Sequence, residues 1–349
     1  MTAEKHTAVG QNGPSAIDRV QQCVRWSCAQ EGHLPVAVVA EVDEAPLIQD
    51  VKTFEELVRL EVQTEREGGV MPLLRRSKLA RTSGPRCCRK ERMVEGKSTK
   101  AKKLGMLWRC RTCRKTLSLF KNSFFEGTHL TALGLLKAAF LYVRKCNESK
   151  IREMMSGCPS APGLANFVQT LRDIMSRDLE YKLMKKGLGG PGKPVVVDET
   201  VLTAAEKYGR AQSNEKCWVT GIYDVEAKVG ILLFMIDSSR EEGMSKIIGQ
   251  VEEGSNVYLK NYGECPALES GAIKNVIASK NLTFSAPDVV MSNTIKCYFS
   301  RLKTFLRIRN SKKLSLVPSY LDEFMWCERH RGREWRGFIE AIQDAYPVR

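Results

Sequence analysis

The stretch Pro194-Val195-Val196-Val197-Asp198-Glu199-Thr200 decides the fold, because three consecutive β-branched residues run straight into a carboxylate. Such a run predicts a strand at the centre of a sheet, apolar on both faces. Two more strand-like runs follow at 217–223 and 229–236, and the connection between them has hairpin length. Asp198 would then lie at the rim of the sheet, within reach of a metal or a substrate. The alternative is a plain α/β sheet in which Asp198 is an ordinary strand-end acid.

The composition is that of a globular protein. The chain has 349 residues, of which 43% are hydrophobic, so it can bury a sizeable core and form two or three domains. No apolar run approaches the ~20 residues that span a bilayer, and the first residues lack the apolar core of a secretory signal. We therefore expect a soluble intracellular protein.

The net charge of +15 is concentrated in one region. Residues 1–80 hold 9 Lys and Arg against 12 Asp and Glu, whereas residues 81–150 hold 18 Lys and Arg against 4 Glu. This asymmetry favours a phosphate-binding surface, although a solvated basic linker would have the same composition. The residues predicted to contact nucleic acid are Arg89, Lys90, Lys100, Lys102, Lys103, Arg109, Arg111, Arg114 and Lys115.

Twelve cysteines are scattered along the chain, and several lie inside apolar patterns, as reduced thiols do in cytosolic or nuclear proteins. The group at 87–113 differs. Cys110 and Cys113 form a C-x-x-C knuckle, and the adjacent Cys87 and Cys88 stand where a second knuckle would be. One interpretation is structural zinc on Cys88, Cys110 and Cys113, with Cys87 as the fourth ligand. The other is a β-hairpin that has lost its metal and keeps its thiols.

Periodicity and caps predict the remaining elements and an α+β fold, a mixed sheet with flanking helices. Thr53-Phe54-Glu55-Glu56 is a capping box, and Thr128 and Thr131 are candidate caps for a helix that ends at Cys146. Residues 130–186 are similar to a helix-turn-helix, or form a bundle that only packs on the core. The other predictions are helices at 17–28, 148–155, 164–186, 244–251, 267–278, 292–306, 320–326 and 335–342, strands at 256–259 and 283–284, a loop at 83–104 and a linker at 187–192.

Five segments, in this order, resemble the DDE transposases of the Merlin superfamily and their bacterial insertion-sequence relatives. They are WRCRTCRKTLSLFKNSFFEGTHL (108–130), VVVDET (195–200), GSNVYLKNYG (254–263), SNTIKCYFSRLK (292–303) and YLDEFMWCERH (320–330). The resemblance covers about residues 85–345. It implies a zinc ribbon, a helical DNA-binding part and an RNase H-like catalytic domain, in which three carboxylates hold two divalent ions for strand cleavage and transfer.

The resemblance assigns the first of these carboxylates to Asp198, but the second and third positions hold Lys260 and Lys296. Divalent ions need anionic oxygen ligands, and an ammonium group at such a position repels them. Asp198 would then form an ion pair with one of the lysines. Met291 and Cys327 also replace a His and an Arg of the family pattern. The resemblance therefore implies a retained fold without nuclease activity and without catalytic Mg²⁺.

We expect a domesticated, inactive transposase, a pseudoenzyme that binds nucleic acid, DNA rather than RNA, in the nucleus. One alternative is a structural subunit of a larger assembly whose residues 1–80 dock protein partners, and another is an active transposase. Homo-oligomers are expected from the resemblance only. The predicted divisions are an N-terminal extension (1–82), a zinc-ribbon-like module (83–127), a helical DNA-binding-like segment (128–190), an RNase H-like core (191–310) and C-terminal helices (311–349).

Overall fold

Helices and strands both contribute to the structure, as the α+β prediction requires. The computed structural model describes residues 46–66, 69–88, 91–97, 104–128, 130–155, 160–183, 187–203, 216–235, 246–247, 249–260, 276–279, 286–309 and 314–348. The helices are α1 (Phe54–Arg66), α2 (Met71–Arg76), α3 (Ala132–Val143), α4 (Glu148–Met154), α5 (Ala161–Asp178), α6 (Ala286–Arg309), α7 (Val317–Arg329) and α8 (Glu334–Ala345). The strands are β1 (Val94–Lys97), β2 (Met106–Arg109), β3 (Thr116–Ser118), β4 (Leu188–Gly189), β5 (Pro194–Thr203), β6 (Lys216–Asp224), β7 (Val229–Met235), β8 (Val251–Glu252), β9 (Asn256–Lys260) and β10 (Val276–Ser279).

The largest sheet has β5 at its centre, in the order β10-β9-β5-β6-β7. β9 runs parallel to both β5 and β10, whereas the β6–β7 hairpin is antiparallel. The valines of β5 are buried whichever face they point to, because Val195 and Val197 are fully buried and Val196 is 3% exposed. The buried central strand predicted from the valine run is confirmed, and so is the hairpin that follows it.

Helix α6 lies directly against one face of this sheet. Two glycines permit the close approach, since a Cβ on Gly221 would lie 2.7 Å from the ring of Phe299 and one on Gly230 would lie 2.7 Å from the ring of Tyr298. Ile295 also reaches the Gly221 position, at 3.5 Å. The predicted apolar face of this helix is confirmed, because Ile295, Phe299, Leu302 and Phe305 are all buried.

The helices share one apolar core with the large sheet. Helix α3 is buried nearly all round, which is typical of a helix at the centre of a core rather than at its surface. Trp335 of α8 donates a hydrogen bond from its indole Nε1 to the backbone oxygen of Ile48, at 2.7 Å. The described part of the N-terminal extension therefore packs on the C-terminal helices.

A buried ion pair joins three of these helices. The Arg309 guanidinium lies 2.5 Å from Glu323, and both side chains are at most 2% exposed. Glu323 also accepts a hydrogen bond from the Tyr142 hydroxyl at 2.7 Å, while Arg309 donates to the backbone oxygens of Tyr142 and Cys146. Each charge is thus paired and hydrogen-bonded, as burial requires.

Two predicted helix caps are confirmed. Thr131 accepts a hydrogen bond from the Gly134 backbone N–H at 3.0 Å, and Thr53 accepts one from the Glu56 N–H at 3.2 Å. The Glu56 carboxylate reaches back to the backbone N–H of Lys52. The helices predicted at 148–155, 320–326 and 335–342 and the strand at 256–259 are also present.

Several short elements differ from the sequence prediction. Strand β1 falls inside the predicted loop at 83–104, and β4 falls inside the predicted linker at 187–192. The helix predictions at 244–251 and 267–278 are wrong at their C-terminal ends, where β8 and β10 occur. These strands have two to four residues each and depend on partners distant in sequence, so local periodicity gives no signal for them. The predicted helix at 17–28 and strand at 283–284 lie outside the described residues.

Candidate metal centre and basic surface

A small sheet, β1-β2-β3, presents the four cysteines of the predicted knuckles. Cys110 follows β2 directly, and its backbone N–H donates to the Lys115 oxygen at 2.9 Å, which closes the turn around Cys113. Cys87 and Cys88 lie on a second tight turn, where the Cys87 N–H donates to the Glu91 oxygen at 2.8 Å. Two hydrogen-bonded turns therefore hold the thiols opposite each other.

The four sulfur atoms form a compact group, all within 4.8 Å of one another. The Sγ atoms of Cys87 and Cys113 are 3.6 Å apart, and those of Cys88 and Cys110 are 3.3 Å apart. A tetrahedral zinc ion with Zn–S bonds of about 2.3 Å has sulfur–sulfur edges of about 3.8 Å. The group can hold a metal such as zinc, and the adjacent Cys87 and Cys88 both belong to it.

The thiols differ in acidity. A backbone N–H of Cys113 that donates to the Cys110 sulfur lowers the pKa of Cys110 to about 6, which favours its thiolate. The hydrogen bond shared with Cys110 raises the pKa of Cys88 to about 12. A metal that binds here would displace the proton of Cys88, because metal ligands are deprotonated thiols.

The cysteine group rests on a small apolar cluster of its own. Met93, Trp108 and Leu119 are buried together beneath Cys110. The Thr112 hydroxyl donates to the Glu91 carboxylate at 3.0 Å, which links the two cysteine turns through their side chains. This link gave no sequence signal, because nothing in the local pattern relates positions 91 and 112.

Exposed cations surround the knuckle. Arg109, Arg111, Arg114 and Lys115 are all exposed, and none of them forms an ion pair within the described part of the chain. Arg114 adopts a φ of +58°, a left-handed turn conformation that directs the chain out of the knuckle. The other predicted contacts, Arg89, Lys90, Lys100, Lys102 and Lys103, lie outside the described residues.

Asp198 lies in the interior of β5, which continues to Thr203, so the prediction that it ends the strand at the rim of the sheet is wrong. It is on the sheet face that α6 covers. Its antiparallel partner is Gly221, whose missing side chain leaves room for the α6 rings. Directly opposed residues on neighbouring strands point to the same face, so Asp198 faces α6. The carboxylate is 5% exposed and accepts a hydrogen bond from the Glu199 backbone N–H at 2.9 Å.

The two predicted lysine positions lie on elements that neighbour β5. Val197 pairs with Leu259, so position 260 is the next position along the parallel β9, level with Asp198. Lys296 is exposed on α6 and directly follows Ile295, which packs at Gly221. Position 260 is therefore on the strand beside Asp198, and Lys296 is on the helix that covers the face of Asp198.

Glu199 does not supplement this acidic position. Successive residues of a strand point to opposite faces, and Glu199 accepts a hydrogen bond from Thr220 on the face away from Asp198.

Within the described residues, the four cysteines are the one group of three or more His, Cys, Asp or Glu side chains close enough to share a metal.

The two long helices of the helical segment, α3 and α5, offer little basic surface. The exposed face of α5 carries Arg177 together with Asp173, so it has no excess of positive charge. Helix α3 is largely buried. These features favour a bundle that packs on the core over a recognition helix.

Comparison with known proteins adds no assignment. No protein-family model matches the chain, and no curated protein matches its sequence. Across the described residues, no helix combines the length and the apolar character needed to span a membrane.

Proposed function

We propose that this protein is a transposase-derived pseudoenzyme that binds nucleic acid through a zinc-stabilised basic module and does not cut it. The observation that carries the proposal is the set of exposed, unpaired cations, Arg109, Arg111, Arg114 and Lys115, around the four-cysteine group. Lysine and arginine side chains without carboxylate partners are available for phosphate groups. The excess of cations over residues 81–150 strengthens the same surface.

Zinc would act as a structural element in this proposal. Cys87, Cys88, Cys110 and Cys113 would hold it, and it would fix the two cysteine turns relative to each other. The four basic residues lie on or beside the knuckle turn, so their positions depend on that turn being closed. Loss of the metal should therefore weaken nucleic-acid binding as well as stability.

The large sheet supports a transposase ancestry. An RNase H-like core would contain a central strand with an inner acid, here Asp198 in β5, with an antiparallel hairpin on one side and parallel strands on the other. Position 260 is level with Asp198 on the neighbouring strand, and Lys296 is on the helix over the same face of the sheet. Because lysines occupy two of the three positions, a site built from them would repel Mg²⁺ rather than bind it.

Binding of the purified full-length protein to duplex DNA, duplex RNA and single strands across a salt series tests the proposal. We expect duplex DNA to bind most tightly, with an affinity that falls steeply with salt and that a zinc chelator weakens. Absence of binding at low salt would contradict the proposal and favour a scaffold in a larger assembly. A nuclear location of the tagged protein is expected alongside.

A nicking assay tests the second half of the proposal. Supercoiled DNA incubated with the protein and Mg²⁺ or Mn²⁺ should remain intact. Metal-dependent nicking that the substitution Asp198→Ala abolishes would show that the lysines at 260 and 296 do not disable the site. The matched control is Asp173→Ala, on the exposed face of α5.

A further inference from the structure

A cleft between three helices is lined by basic and apolar side chains that have no part in the function proposed above. It encloses about 410 Å³ between the end of α3, the second half of α6 and the end of α7. This volume falls within the range of small-molecule sites, about 300–1,000 Å³. The cleft shares no residue with the cysteine group.

Cations predominate in the cleft. Lys145, Arg301 and Arg331 line it, opposed by the single carboxylate of Glu328. Glu328 binds both guanidiniums, at 2.9 Å from Arg301 and 2.5 Å from Arg331. The Lys145 ammonium is exposed and has no carboxylate partner among the described residues. An excess of two positive charges therefore faces the opening, and the paired guanidiniums keep N–H groups to donate.

The backbone at Lys145 is held in place by its surroundings. Lys145 adopts a φ of +66° one residue beyond the cap of α3, a position that usually holds glycine. Its N–H donates to the Tyr142 oxygen at 2.8 Å, and the buried Arg309 donates to the oxygens of Tyr142 and Cys146 on the same turn. Packing from the core thus fixes the backbone from which the Lys145 side chain extends at the cleft.

The floor of the cleft is apolar and neutral. The buried side chains of Phe305, Phe324 and Cys327 form it, and the exposed Ile308 adds an apolar group to the lining. Burial raises the pKa of the Cys327 thiol to about 12, so this side chain carries no charge at neutral pH. Ser300 and Thr304 add hydroxyl groups on the α6 side. An apolar floor beneath a cationic rim suits a ligand with a flat apolar group and a phosphate.

We propose that this cleft binds a nucleotide unit, with its phosphate on Lys145 and Arg331 and its base over the apolar floor. The unit is either a free mononucleotide or the phosphorylated end of a strand. Exposed Lys296, Lys303 and Arg307 continue the positive surface along α6. They raise the potential at the cleft and favour a ligand with further phosphates.

Calorimetric titration of the full-length protein with 5′-AMP, adenosine, inorganic phosphate and a 5′-phosphorylated trinucleotide tests this proposal. We expect 5′-AMP to bind more tightly than adenosine or phosphate alone, because both parts of the cleft contribute. Tighter binding of the trinucleotide that Lys145→Gly weakens would identify a strand end as the ligand of the cleft, and binding no tighter than that of 5′-AMP would identify a free nucleotide. The proposal is overturned if neither nucleotide ligand binds, or if adenosine or phosphate alone binds as tightly as 5′-AMP.

The substitution Lys145→Gly removes the cation and suits the left-handed backbone, so the variant should fold at least as well as the parent. It should weaken 5′-AMP binding about tenfold or more, the effect of removing one charge-assisted hydrogen bond. Lys228→Gly is the matched control, since Lys228 is exposed with a φ of +56° on the β6–β7 turn. Equal 5′-AMP affinity in the two variants would contradict the assignment. Arg111→Gln in the knuckle should leave 5′-AMP binding unchanged, so the result does not depend on the nucleic-acid surface proposed above.

Discussion

The substitution Gly221→Ala tests how the sheet face at Asp198 is covered. A Cβ at position 221 would lie 2.7 and 2.8 Å from two ring carbons of Phe299, well inside van der Waals contact. The ring is 5% exposed and packed between α6 and the sheet, so it cannot swing away. Overpacking of this kind costs about 1–3 kcal/mol, against a gain of about 0.5–1 kcal/mol from replacing glycine in a strand. We expect Gly221→Ala to lower the free energy of unfolding by about 1–2 kcal/mol.

Urea unfolding at fixed zinc concentration measures this effect. Gly96→Ala on β1 is the matched control, because a Cβ there would meet only the Cβ of Arg109, at 3.9 Å. It should raise the unfolding free energy by about 0.5–1 kcal/mol, the gain from replacing a strand glycine without a clash. The second substitution Phe299→Leu should destabilise the Gly221→Ala background less than it destabilises the parent, since it relieves the clash. If Gly221→Ala is as stable as the control, α6 does not lie over Gly221 and does not cover the face of Asp198.

Three further outcomes follow from the buried and metal-binding groups. Glu323→Gln should destabilise the fold by about 3–5 kcal/mol in urea unfolding, because it leaves the buried Arg309 without its counter-charge; a change no larger than that of the control variants would mean that water reaches this pair. Burial lowers the pKa of His330 below its ordinary 6.5. Between the two pKa values the imidazole is protonated in the unfolded chain and neutral in the folded chain, so protonation favours unfolding. Stability should therefore fall as the pH drops below about 6.5 and level off below the folded pKa, with a shallower fall in His330→Gln; the same slope in both proteins would exclude His330 as the source. Metal analysis should find about one zinc ion per chain in the parent and much less in Cys110→Ser, with a lower melting temperature after chelation; zinc content unaffected by the substitution would rule out the four-cysteine site.

The elements with strong local signals were predictable. The valine run of β5, the apolar stripe of α6 and the hydroxyl caps of α1 and α3 each depend on neighbouring residues, and each lies where the sequence predicts it. Short strands such as β4 and β8 were not predictable, because each exists only through a partner about sixty positions away. Their pairing depends on tertiary packing that no local pattern encodes.

The candidate sites divide in the same way. The C-x-x-C spacing of Cys110 and Cys113 indicated a metal site in the sequence. Only the structure shows that the adjacent Cys87 and Cys88 both bring their sulfur atoms to this site. The cleft had no sequence signal, since Lys145 and Arg331 are brought together by the packing of α3 against α7. The sequence predicted that Asp198 lies on the central strand but placed it at the strand end, whereas β5 continues to Thr203. The coverage of its face by α6 depends on Gly221, which is identified as the partner of Asp198 only by the strand register.

The salt dependence of duplex DNA binding tests the central claim most directly. In the full-length protein, the logarithm of the binding constant should fall linearly with the logarithm of salt concentration. Replacing Arg109, Arg111, Arg114 and Lys115 by glutamine should reduce this slope by about 3–4, about one for each phosphate that is no longer neutralised. Four glutamines at exposed basic positions away from the knuckle, Arg59, Arg152, Arg177 and Lys228, provide a control with the same net charge, whose slope should remain close to that of the parent. Equal slopes for the knuckle variant and this control would show that the basic surface around the cysteines does not bind nucleic acid.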